Sequence, residues 1–213
     1  MINFCFLLDK RNNWLQPYAL KYLNDINLNA KKHIIYDPID AEKYEICFVL
    51  AYTTILNNND LFKSCKYFIV HESSLPKGKG FAPLMWQIIE GKNEIDFCLL
   101  ELAESVDAGR IVLNDKLLLN GNELYAEIRE KQAKKTFKLI NEFIKLYPNI
   151  NFIKQAGKES FYKRRSPKDS ELNINKNLKE QFNLLRTCNN NSWPAYFEIN
   201  GQKYFLKISK SSK

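Results

Sequence analysis

"KYFIVHESSLPKGKGFAPLMWQIIEG", residues Lys66–Gly91, joins three signals in one short stretch. Tyr67 to Val70 form an apolar run of aromatic and β-branched residues, which predicts a buried strand ending at His71. Pro76, Gly78, Gly80 and Pro83 then punctuate a loop in which neither a strand nor a helix can persist. "APLMWQIIEG" resumes as a helix stopped by Gly91. His71 therefore stands at the end of a hydrophobic strand, directly ahead of a turn-rich loop.

The flanking sequence repeats this alternation. Upstream, "INFCFLL" (Ile2–Leu8) is followed by Trp14, Tyr18, Tyr22 and Ile26 at helical spacing, and "KHIIYD" and "YEICFVLAY" add two more buried strands. Downstream, "DFCLLELAESVDAGRIVLND" reads as strand, acidic turn, strand, and Asn122–Tyr147 as a long amphipathic helix ended by Pro148. The implied fold is α/β, a Rossmann-like and mostly parallel sheet whose ligands bind beyond the carboxyl ends of the strands. Beyond residue 150 the pattern changes to short aromatic strands, "AYFEI" and "KYFLKI", separated by the hairpin signal Asn200-Gly201. The expected division is a catalytic part, 1–150, and a small β-rich C-terminal subdomain, 151–213.

Composition narrows the classes. With 213 residues and 45% hydrophobic content the chain can bury one sizeable core. Its five cysteines are dispersed through apolar runs without a CxxC pair, so buried thiols are expected and no metal site. No stretch approaches the ~18 uninterrupted apolar residues of a membrane span, and the apolar run at the N-terminus is too short for a signal peptide; a soluble, cytoplasmic protein without a membrane partner is expected. A formal charge of +8 suits an anionic partner and equally suits a lysine-rich solvated surface. "GKGF" matches neither a dinucleotide fingerprint nor a phosphate-loop motif.

Between Phe48 and Leu113 the chain resembles the catalytic core of the formyltetrahydrofolate-dependent formyltransferases. The marks are "AYTTIL", "HESSLP", the helix "GFAPLMWQIIEG" and the "VDAG" turn. The later segments "FYKRRSPKDSELN" and "LLRTCNNNSWPAYFEINGQKYFLKI" are similar to short nucleotide-sugar N-formyltransferases of the pseudaminic acid type and to the formylation domain of a gramicidin synthetase. The resemblance implies N10-formyltetrahydrofolate as formyl donor, a nucleotide-linked amino sugar as acceptor, a place in surface glycan synthesis and a homodimer as a candidate assembly.

What that chemistry needs can be stated in residue types. An amine attacking a formyl carbon makes a negative oxygen and must lose a proton, so the site needs an oxyanion partner and a proton acceptor. The resemblance assigns these roles to His71 and Asp107. The family usually has Asn-x-His at the strand end, whereas here Ile69 occupies the first position. Lys77 is the candidate replacement for the missing donor, and Ser73 the second. The resemblance further places Tyr52, Thr53, Thr54, Ile55, Leu56, Ser73, Leu75 and Gly80 against the folate. It places Arg164, Arg165, Pro167 and Asp169 at the nucleotide sugar, with an arginine clamping the diphosphate. The competing readings are a formyltransferase for a different amine and a non-catalytic anion- or nucleic-acid-binding relic; the latter predicts Lys and Arg gathered on one face. The sequence instead spreads its lysines along the chain, so a nucleic-acid partner is not expected.

Overall fold

A computed structural model describes residues 2–11, 13–56 and 64–211. β1 (Phe4–Leu7) is buried at every position, as parallel strands covered on both faces are. It pairs in parallel with β2 (Lys32–Ile35) on one side and with β3 (Ile46–Val49) on the other. β3 pairs in parallel with β4 (Lys66–His71). The loop after β4 carries the two-residue β5 (Lys79–Gly80), which belongs to another sheet. β6 (Glu94–Glu101) then returns antiparallel to β4, and β7 (Ile111–Leu118) antiparallel to β6. The sheet order is β2-β1-β3-β4-β6-β7. The fold is the Rossmann-like α/β arrangement expected, with its antiparallel pairings confined to one side.

The strands alternate their side chains between two cores. Phe4, Phe6, Phe48 and Phe68 face α1 (Gln16–Asp25) and the long helix beyond α2 (Pro83–Ile89), namely α3 (Tyr125–Leu146). Phe143 of α3 is the hinge of this packing, with its ring 4.5 Å from Phe68 and 5.4 Å, edge-on, from Phe48. Cys5, Leu7, Cys47 and Val49 face the other way, against Ala41 and Tyr44 at a 3₁₀ turn over Pro38–Lys43. All five cysteines are buried free thiols. α3 starts where Glu127 accepts the Leu124 N–H at 2.8 Å, two residues later than Asn122 suggested.

Beyond α3 the chain returns to the sheet before leaving it. Ile153 bridges Ile111, and β8 (Phe161–Tyr162) pairs in parallel with β5. α4 (Leu178–Arg186) follows, then the hairpin of β9 (Ala195–Ile199) and β10 (Gln202–Leu206). Asn200 at φ 51° and Gly201 at φ 76° supply the two left-handed residues of the hairpin turn. α4 was not anticipated, although Asn177 accepting the Glu180 N–H at 3.0 Å is an N-cap whose sequence pattern was visible. Among the described residues no helix is long and apolar enough to cross a membrane.

Candidate active site

Period-two alternation puts Ile69 and His71 on the same face of β4, where Ile69 packs among Leu75, Cys98 and Leu100. His71 ends that face, 4% exposed. Its Nε2 is 2.8 Å from the Gly78 carbonyl, and its Nδ1 is 3.5 Å from Asp107 Oδ2. Both neighbours are acceptors, so the ring is oriented from two sides. The Nδ1 separation is longer than a hydrogen bond, which leaves this edge the looser one.

The loop reaches His71 because two residues lack side chains. Gly78, at φ 74°, would bring a Cβ within 2.9 Å of Ser73 Cβ. Gly80, at φ 96°, would bring one within 2.4 Å of the Tyr162 carbonyl, and its N–H donates to Asp107 Oδ2 at 2.8 Å. β8 stitches the loop from behind: Lys79 N–H donates to Ser160 O at 2.9 Å, and Phe81 N–H to Tyr162 O at 3.1 Å. Lys79 itself is buried and pairs with Glu159 at 2.6 Å.

Asp107 arrives from the β6–β7 connection, which folds back toward β4. It sits at φ 51°, a left-handed conformation uncommon outside glycine. Gln155 holds the same turn, donating from Nε2 to Asp107 O at 2.7 Å and to Gly109 O at 2.8 Å. Cys98 donates from Sγ to the His71 carbonyl at 3.5 Å, and burial pushes this thiol well up. It is a packing group beneath the site.

β1, β3 and β4 run parallel, so their carboxyl ends lie on the same edge of the sheet as His71. β1 lies between β2 and β3, so the chain order reverses there, which is where open α/β sheets take ligands. Asp9, after β1, accepts the Thr53 N–H at 3.1 Å, and Arg164 donates to Thr53 O at 2.8 Å while lying 4.2 Å over the Phe81 ring. Thr53, Thr54 and Ile55 are exposed, whereas Tyr52 and Leu56 pack against the core around Cys5.

The other expected residues are distributed as follows. Leu75 is part of the Ile69 wall. Ser73 is 2% exposed and its Oγ finds no hydrogen-bond partner among the described residues. Lys77 has an exposed side chain that makes no hydrogen bond or ion pair among the described residues. Arg164 and Arg165 diverge: Arg165 lies 5.9 Å from the Trp86 ring and reaches the carbonyls of Thr187 and Asp169. Pro167 opens a 3₁₀ turn, and the Asp169 carboxylate is occupied by Ser166 N–H at 2.7 Å and Lys163 at 2.5 Å. Sequence reasoning missed Asp9, Gln155 and Ser160, whose positions near the site depend on long-range chain return; only Asp9, directly after a strand, carried a local sign.

Three comparisons bear on this geometry. Residues 21–144 match the model of the formyl transferase family. A methionyl-tRNA formyltransferase of Malacoplasma penetrans is 31% identical over 150 residues, 68% of this chain and 46% of that protein, so the chain spans about half the length of this curated relative. Among solved structures, a methionyl-tRNA formyltransferase from Clostridium thermocellum superposes with a TM-score of 0.83 at 18% identity, over 100% of this chain and 94% of that one. A 4-N formyltransferase from Francisella tularensis gives 0.69 at 16% identity over 99% of both chains.

Proposed function

The chain belongs to the formyl transferase family, and from that premise we propose that it moves a formyl group from N10-formyltetrahydrofolate to the primary amine of a nucleotide-linked amino sugar. The observation that carries formyl transfer is the enclosed His71–Asp107 pair, 3.5 Å apart at the end of β4. Folate is the donor this family uses. The exposed loop Thr53–Ile55 and the backbone of Gly80 are the groups suited to the edges of a flat pterin.

The reaction forms one C–N bond and breaks another. The neutral amine adds to the formyl carbon, the carbonyl electrons move onto oxygen, and the tetrahedral intermediate collapses with loss of N10. One proton leaves the amine and one arrives at N10. Asp107 is the acceptor for the first, with Gly80 N–H keeping Oδ2 in place. His71 meets the developing negative oxygen by exchanging a protein acceptor for it. Ile69 offers no side-chain donor, and Lys77, a cation on the same loop without an ion pair among the described residues, is the group we assign to the rest of that charge. Ser73 is enclosed and would have to turn outward to help.

Arg164 supports the nucleotide-sugar acceptor. Its guanidinium reaches Thr53 from the C-terminal segment, at the loop after β3, where a diphosphate could replace the carbonyl as its partner. Asp169 and Pro167 shape the turn that carries the two arginines. The proposed division into 1–150 and 151–213 is supported by the separate antiparallel sheet, with Gln155 and β8 reaching back into the first part.

The test is incubation with N10-formyltetrahydrofolate and UDP- or dTDP-linked 4-amino sugars, with methionyl-tRNA in parallel, read by mass spectrometry. Formylated nucleotide sugar is expected. Asp107→Asn and His71→Ala should each lower turnover by roughly 10²–10³, and Lys77→Met should lower it without raising either Michaelis constant. Product from methionyl-tRNA alone would overturn the acceptor assignment, and no product from any amine would overturn the transfer itself.

A further inference from the structure

Gln155 lies on the irregular segment between α3 and β8, distant in sequence from the turn it holds. An amide NH₂ carries two protons, and each meets one carbonyl: Asp107 O at 2.7 Å and Gly109 O at 2.8 Å. Chemistry fixes this orientation, because the flipped amide would set its oxygen against two other oxygens. Oε1 is buried and finds no partner among the described residues, while the other end of the side chain satisfies the turn.

The turn needs such a hold. Asp107 is a non-glycine residue at φ 51°, and its Oδ2 must lie within reach of both Gly80 N–H and His71 Nδ1. Within the turn the main chain supplies the long Ala108 N–H to Ser105 O bond of 3.2 Å. The flanking Gly109 is pressed against Glu101, where an added Cβ would lie 1.8 Å from the carbonyl oxygen. The carbonyls on either side of Ala108 converge on one amide, which closes the turn like a pin.

We propose that Gln155 is a positioning residue of this site, setting the distance between Asp107 and His71 through the two carbonyls of the turn. The inference rests on the formyl-transfer reading for its kinetic consequence and on geometry alone for its structural one. It also gives the C-terminal segment a task in catalysis: the residue that tunes the acid–base pair is delivered by the same segment that continues into Arg164.

Only two histidines, His33 and His71, are present, so imidazole NMR reports the site with an internal control. His33 lies on β2 and bonds Tyr44 at 2.9 Å, away from the turn. Gln155→Met removes both donors at similar length, and Gln155→Glu is the second variant should the first not fold. Expected are a shift of the His71 ring resonances and of their pH profile with those of His33 unmoved, and a fall in kcat of about 10- to 100-fold with Michaelis constants within about twofold. Unchanged His71 resonances, or a kcat within about twofold of the parent, would overturn the proposal. If the parent chain transfers no formyl group, the proposed function fails, and the His71 resonances still decide whether Gln155 positions the pair.

Discussion

Glu72 follows His71 directly, yet its carboxyl serves another neighbourhood. Gln132 of α3 donates to its Oε1 at 2.6 Å, and Arg129, lying 4.4 Å over the Trp14 ring, donates in turn to Gln132 at 2.8 Å. Burial pushes the carboxyl above its usual range, outweighing the opposite pull of His71, Gln132 and Arg129. The folded chain therefore keeps this proton to a higher pH than the unfolded chain does. Where the native state binds more protons, stability falls as pH rises, and here it is lost through the raised folded pKa. Glu72→Gln preserves the shape and removes the titration. The melting temperature of the variant relative to the parent should climb as pH rises through the ordinary carboxylate range and beyond it; a difference that stays constant with pH would mean the carboxyl titrates alike in both states. Nothing in the string "HESSLP" marks the Glu72 carboxyl as turned toward α3, since that depends on which way the chain leaves β4. His71 and Asp107 were legible because their spacing within a known pattern names them, whereas Gln155 stands in a stretch with neither period nor motif.

At the scale of elements, legibility followed local periodicity. The four-residue central strands and α3 repeat their apolar positions strongly enough to be read directly, and Asn200-Gly201 declares its hairpin by backbone chemistry alone. β5 and β8 are two residues each and could not be read, because their only cause is each other. The β6–β7 hairpin shows how such non-local causes act. Its ladder shifts register between Leu99 and Leu100, and Gly109 then passes so close to Glu101 that a methyl group would meet backbone, which cannot yield. Gly109→Ala should cost about 3 kcal/mol, at the upper end for overpacking. Gly201→Ala is the control: it has nothing within 4 Å and only its φ of 76° to strain, so about 1 kcal/mol is expected. Urea denaturation of the two variants measures the contrast, and equal losses would show that the crowding at Gly109 is relieved without cost.

For the whole molecule, the question is what the net charge and the C-terminal segment do. Five lysines, Lys116, Lys131, Lys134, Lys135 and Lys138, line one groove between β7 and α3, the arrangement an anion-binding module would use. Each has a carboxylate beside it, from Glu94, Glu123, Glu130, Asp115 or Glu142, so the groove does not concentrate the +8. Charge is spent on holding elements together, and Arg186 is the strongest case. Its side chain is 0% exposed and joins α4 to the segments before and after β6 and β7, donating to Asn183 at 2.9 Å and to Asn93 at 2.8 Å, with Glu123 at 3.7 Å. Against the effect of burial, Lys131 and the Asn120 N–H hold the Glu123 carboxyl at about 2. That carboxylate therefore stabilises the fold above the ordinary carboxylate range and loses its contribution as pH falls through about 2. Arg186→Met removes a buried cation from a carboxylate that keeps its other donors, so the loss at neutral pH should be about 2–4 kcal/mol, somewhat under that for a wholly isolated pair. Arg186→Lys should recover little, because an ammonium cannot span Asn183, Asn93 and Glu123 as the planar fork does. Limited proteolysis separates undocking from general unfolding: early cleavage between α4 and the β9–β10 hairpin is expected, with the six-stranded sheet still protected. A variant as stable and as resistant as the parent would show that α4 is held by its apolar contacts alone, with Leu185 and Cys188 sufficient to anchor it.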